Sequence, residues 1–197
     1  MKLKVNKRIL ILCEGVTEYY YAKNLQGELP RALQQAISVE IFYSTKNDPK
    51  QLVAEAHRRL KAAVKERNPY DTVWLFFDKD QWPDLKGTFR QIERDRFALA
   101  YSAIAIEHWF ILHFEHCGRA FQSGQEALKH LTRLWPEYHK TKLNHYKHLK
   151  ERLALAMERA EVVNRQHDEA TPMHVRNPYF TVQRLVDFFE QLKEEQR

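Results

Sequence analysis

The stretch VWLFFDKDQW, Val73–Trp82, decides the fold. Five apolar residues without a polar interruption run into two aspartates, Asp78 and Asp80, on either side of Lys79. Asn68-Pro69 bounds the run on one side and Pro83 on the other. A short, continuous apolar segment between such breakers reads as a strand buried on both faces, the kind found inside parallel sheets.

Working outward, RILILC (Arg8–Cys13) is a second short strand, stopped by Glu14-Gly15, and Thr17 offers a cap for the helix TEYYYAKNLQGEL. VEIFYS (Val39–Ser44) is a third, followed by Asn47-Asp48-Pro49, where Pro49 suits the first turn of a helix reaching about Arg67. Leu52, Ala56, Leu60 and Val64 give that helix an apolar stripe. A helix around Phe89–Arg96 and a fourth strand, LAYSAIAI (Leu99–Ile106), complete a βαβαβαβ pattern. That pattern predicts an open, mainly parallel α/β sheet flanked by helices.

From Glu107 onward the period is helical: HWFILHFEH, then QEALKHLTRLW, then an amphipathic segment from about His145 to Gln166. NPYFTVQRLVDFFEQLK follows the loop DEATPMHVR, with Asn177 as its cap and Pro178 in its first turn. The expected organisation is an α/β domain over residues 1–118 and a helical C-terminal extension over 119–197 packed on it.

The 197 residues include 44% hydrophobic residues and four tryptophans, enough for a sizeable core and against disorder. Cys13 and Cys117 each sit in an apolar segment and read as reduced core thiols, so a soluble cytoplasmic protein is expected. The apolar run Ile9–Cys13 is too short to span a membrane, and no membrane association is expected. A net charge of +6 favours polyanionic partners such as nucleic acid, DNA or RNA.

In an open parallel sheet, ligands bind beyond the carboxyl ends of the strands. Glu14 ends the first strand and Asp78 the third, so both face one crevice if those strands are neighbours, and Asp80 points the same way while the chain stays extended. Three converging carboxylates raise one another's pKa unless a cation sits among them. A hard divalent cation, Mg²⁺ or Mn²⁺, suits such oxygen ligands, which points to phosphoryl transfer or phosphodiester cleavage. Asp-x-Asp also caps loops. It marks haloacid-dehalogenase-type phosphatases too, but there it lies on the first strand and continues to Thr or Val, not to Gln81-Trp82. A glycosyltransferase Asp-x-Asp stays open, with nothing else pointing to a nucleotide-sugar site. Glu18, one turn after Glu14, either joins the site or favours the helix N-terminus electrostatically.

CEGVTE followed by FFDKD resembles the Toprim signature of topoisomerases, DnaG-type primases and OLD-family nucleases. The ordered blocks CEGVTEYYY, LFFDKDQW, SAIAIEHWFILHFEH and NPYFTVQRLV are similar to the RloB-like family, which includes AbiLii-type phage-resistance proteins. The resemblance runs from Ile9 to about Phe189. It implies that Glu14 is a general acid or base, that Asp78 and Asp80 hold metal together with Glu14, and that Glu107 belongs to the same acidic set. Ser102, Glu107 and Trp109 match a family segment that usually reads Ser-Asn-Pro before the glutamate; Ala103-Ile104 stand in place of Asn-Pro, so the strand is expected to run on. Lys140 matches a family lysine of unassigned function. The resemblance also implies a place in phage defence, beside restriction genes or an ATPase partner protein.

His113, His116 and Cys117 have helical spacing that could hold zinc, but His113 sits among Ile111, Leu112 and Phe114 and reads as a packing histidine. Tyr19–Tyr21 read as helix-face packing. The segment HKTKLNHYKHLKER, His139–Arg152, carries Lys140, Lys142, Lys147 and Lys150, which with Lys79 are candidates for tracking a phosphate backbone. A solvated helix face would look similar. The leading expectation is a Mg²⁺-dependent nuclease effector; the alternative is a non-catalytic subunit binding nucleic acid or an ATPase partner.

Overall fold

The computed structural model describes residues 7–44, 48–79, 82 and 84–194. Asp80 and Gln81 therefore lie outside the described residues. The first half alternates as expected: β1 (Lys7–Cys13), α1 (Val16–Gly27), α2 (Arg31–Ala36), β2 (Ile37–Tyr43), α3 (Pro49–Lys65), β3 (Thr72–Asp78), α4 (Leu85–Asp95) and β4 (Ala98–Ala103). The second half contains α5 (Ile106–Ile111), α6 (Gly124–Leu134), α7 (His145–Leu149), α8 (Leu153–Asn164), β5 (Tyr179–Phe180) and α9 (Val182–Glu194).

The five strands form one open sheet in the order β2-β1-β3-β4-β5. The first four are parallel and β5 is antiparallel to β4. Val73–Phe77 are all buried, because β3 lies inside the sheet with helices on both of its faces. Strand residues alternate between two cores. Leu10, Leu12, Val73, Leu75 and Phe77 pack with Leu52, Val53 and Ala56 of α3 and with Leu85 and Ile92 of α4. Ile9, Ile11, Trp74 and Phe76 pack on the other side with α1 and with apolar residues of α5 to α9.

Several sequence expectations shift in physical detail. The N-cap of α1 is Gly15, and Thr17 is buried in the first turn rather than capping it. On α3, steps of four residues advance about 40° around a 3.6-residue helix, so the stripe drifts. Leu52 and Ala56 are buried, whereas Val64 is 64% exposed and Ala63 has taken its place. β4 stops at Ala103 instead of running on; the Ala103–Ile104 peptide is cis, and α5 begins at Ile106. Asn177 and Pro178 do not open a helix. They join through a cis peptide, Tyr179 and Phe180 continue as β5, and α9 starts at Val182. Pairing with Ala103 and Ser102 draws these two residues into the sheet.

The outer edge of β5 is closed by a side chain. Asn164 Nδ2 donates to Phe180 O over 2.7 Å, and Phe180 N–H donates back to Asn164 Oδ1 over 2.9 Å. One amide thus imitates a neighbouring strand. Gln183 Nε2 also donates to Phe180 O over 3.1 Å, so the carbonyl has a second partner while the N–H depends on Asn164. Asn164→Leu keeps the volume and orphans that N–H, and is expected to cost about 1–3 kcal/mol, read as an earlier denaturant midpoint at unchanged slope. A midpoint equal to the wild type would show that the edge does not need the amide.

Candidate functional site

β1 and β3 are neighbours, and the chain departs in opposite directions from them: β1 leads outward to β2 and β3 to β4. The gap beyond their carboxyl ends is the switch point of the sheet, where the backbone leaves room for a ligand. Glu14 stays in the ladder by one residue, its N–H donating to Phe76 O over 2.8 Å. Its carboxylate turns towards β3, where Glu14 Oε2 accepts from the Asp78 N–H over 3.4 Å. The carboxyl ends of the two strands are joined through a carboxylate.

Two further acidic residues arrive from helices. Glu18, in the first turn of α1, is 5% exposed, and a Cβ placed at Gly15 would lie 2.8 Å from Glu18 Oε2. Glycine at position 15 is what allows that carboxylate to fold back over the helix start. Glu107, in the first turn of α5, is 4% exposed. Tyr138 donates its hydroxyl proton to Glu107 Oε1 over 2.9 Å, and Lys140 Nζ lies 3.6 Å from the same oxygen. The Tyr138 phenol is raised by burial and then by the negative charge of Glu107, so it stays a donor.

Burial is the main cause that drives the Glu18 carboxyl from its ordinary value of 4.5 up to about 8; its own backbone N–H opposes the shift, the charges of Glu14 and Glu107 add to it, and Lys140 pulls it back. Asp78 is half-buried and, with Ile104, Glu107, Gly124, Leu128 and Lys140, lines an open cavity of about 390 Å³. A larger cavity, about 720 Å³, lies elsewhere, between α4 and the segment from Glu169 to Arg184, and none of the four carboxylates lines it. Two of the four, Asp78 and Glu107, line the smaller one together with Lys140. Carboxylate oxygens are the donors that a hard divalent cation takes, and among the described residues no three of these four bring their oxygens within 4.8 Å of one another.

The remaining candidates are placed as follows. Asp80 lies outside the described residues. Lys79 turns away: its Nζ donates to Val175 O over 3.2 Å, and burial lowers its pKa. Lys142, Lys147 and Lys150 are exposed before, on and just after α7, and Lys150 Nζ lies 3.5 Å from Glu28 Oε2. Tyr138 was not singled out as a site residue by sequence reasoning. Tyr138 and Lys140 lie in the segment between α6 and α7, and nothing in the sequence around Tyr138 signals an acidic partner 31 residues away. Tyr21 is a core residue whose hydroxyl accepts from Trp109 Nε1 over 3.1 Å. His113 donates from Nδ1 to Trp109 O over 3.1 Å and is kept neutral by burial, its pKa pushed down to about 3.

The Glu18 shift has a signed consequence. Its folded pKa lies above its unfolded one, so between pH 4.5 and about 8 the folded chain holds a proton that the unfolded chain has released. The stability from that proton is full below the lower value and is lost as pH rises through the upper. In metal-free buffer, Glu18→Gln is expected to gain melting temperature over the wild type at pH 8 and to lose the advantage at pH 5. Parallel melting curves across that range would place the Glu18 carboxylate in a solvated, unshifted state.

Among the described residues no helix is long and apolar enough to cross a membrane, and Cys13 and Cys117 are both buried free thiols. Comparison with curated proteins and with solved structures gives no match. A family model described as RloB-like protein matches residues 9–189, from within β1 through the four carboxylates and into α9. The chain belongs to the RloB-like family.

Proposed function

We propose that this chain is a divalent-cation-dependent nuclease of the Toprim-like kind, acting as an effector in bacterial phage defence. The observation that carries the reading is the meeting of Glu14 and Asp78 at the switch point of the sheet, with Glu18 and Glu107 closing round them. Glu14, Asp78 and the sequence neighbour Asp80 are the residues that would hold Mg²⁺ or Mn²⁺. Bound there, such a cation supplies charge neutralisation for a phosphoryl oxygen and a more acidic water.

The chain's own groups do the rest. Glu14, fixed by the Asp78 N–H, is placed to orient a water molecule and take its proton. Glu107 is held in one orientation by Tyr138 and Lys140. Lys142, Lys147 and Lys150 offer exposed ammonium groups to a phosphate backbone, and the Lys79 ammonium would have to leave the Val175 carbonyl to join them. A second reading, a non-catalytic subunit binding nucleic acid or an ATPase partner, draws on the same Glu107, whose hydroxyl and ammonium partners already satisfy it without a metal.

Titration of Mn²⁺ into the wild type and Asp78→Asn, with and without a short oligonucleotide, tests the proposal. The expected result is metal binding weakened by more than about tenfold in the variant, loss of Mg²⁺-dependent cleavage, and a melting temperature close to the wild type. Equal Mn²⁺ binding by both proteins would remove the metal from the strand ends. Binding that is lost in the variant, with no cleavage of DNA or RNA by the wild type, would move the assignment to the non-catalytic subunit.

A further inference from the structure

A second set of ligand-type side chains comes together where α5 gives way to α6. Glu115 and Cys117 lie on the segment leaving α5, and His130 lies on α6. His130 Nε2 is 2.7 Å from Glu115 Oε1, and the ligand atoms of Glu115, Cys117 and His130 all lie within 4.8 Å of one another. This is a different set from His113, His116 and Cys117: once the helix ends at Ile111 the regular spacing no longer brings those three together, and His113 turns into the core.

A carboxylate oxygen, a sulfur and an imidazole nitrogen are the three donor types that zinc accepts, whereas magnesium and calcium want oxygen alone. The backbone around the ligands is held by contacts that do not use the ligand atoms. His108 Nε2–H donates to Cys117 O over 3.0 Å, and Arg159 Nη1 donates to Leu112 O over 2.6 Å. The ring of Phe121 packs 5.6 Å from that of His130. Ligands at about 2.0–2.3 Å from a common ion sit a little over 3 Å apart. The Glu115–His130 contact must therefore open slightly, which the exposed Glu115 side chain, at 41%, permits.

We propose that Glu115, Cys117 and His130 form a zinc site, with water as the fourth ligand. Binding forms a Zn–S bond and releases the thiol proton to solvent, with no change of oxidation state. The ion would tie the exit of α5, the helix carrying Glu107, to α6, whose start forms a wall of the acidic cavity. The site does not depend on nuclease activity.

Cobalt is the probe, because a thiolate–Co²⁺ bond gives a near-ultraviolet charge-transfer band and tetrahedral Co²⁺ gives strong visible bands. Titration of Co²⁺ into the reduced, metal-stripped full chain is expected to raise both sets of bands to a 1:1 endpoint, and Zn²⁺ should abolish them. Cys117→Ser should lose the charge-transfer band, while Glu115→Gln and His130→Asn should weaken binding by at least about tenfold. Asp78→Asn should leave the bands intact, which separates this site from the carboxylates at the strand ends. Absence of a thiolate band in the wild type, its persistence in Cys117→Ser, or unchanged affinity in His130→Asn overturns the proposal. Should Cys117→Ser fail to fold without metal, Glu115→Gln, altered at an exposed side chain, decides the matter by the same bands.

Discussion

Covering both apolar faces of a parallel sheet is the constraint on which the other features rest. Each fully buried leucine, isoleucine or phenylalanine contributes roughly 1.5–3 kcal/mol, and β1 and β3 present such residues alternately to opposite sides. Two helices, α3 and α4, cover one face. The other needs more than α1, and the apolar residues of α5 to α9 complete it in one continuous cluster with Ile9, Ile11 and Phe76. Trp109 lies at the junction, fully buried, with its Nε1–H bonded to Tyr21 on α1. That contact fixes α5 against α1 and so sets Glu107 beside Glu18.

The same packing makes the acidic cluster costly. Carboxylates prefer water, and like charges in a low-dielectric pocket repel, so the fold accepts a penalty at Glu18 that apolar burial elsewhere must offset. Tyr138 and Lys140, from the segment between α6 and α7, supply a donor and a positive charge at Glu107. A helical half that served only to cover the sheet would have no need to send those two groups back to the strand ends.

Much of this architecture was legible in the sequence because strand and helix periods are local signals. VWLFF and RILILC announced two central strands, and their neighbouring places in the sheet bring Glu14 to Asp78 as the crevice rule requires. What was hidden depends on distant partners. The pairing of Tyr179 and Phe180 with β4 overrides the apparent helix start at Asn177-Pro178, since a sheet edge supplies hydrogen bonds that no local pattern reveals. Glu107 could be placed by resemblance, but its bond to Tyr138 spans 31 positions and follows no period. Likewise, helical spacing grouped Cys117 with His113 and His116, whereas the chain leaves the helix after Ile111 and the thiol meets His130 instead.

The amide of Asn164 has a meaning beyond its own two hydrogen bonds. An unpaired strand edge is a template on which a second chain can add a strand, the first step of edge-to-edge aggregation. At β5 that template is already occupied, because the outward N–H and C=O of Phe180 are both engaged by one side chain from α8. Another copy of the chain could extend the sheet on this side only by displacing Asn164 first. A two-residue strand with its outer face blocked therefore works as a terminator, limiting polymerisation where a longer bare edge would invite it.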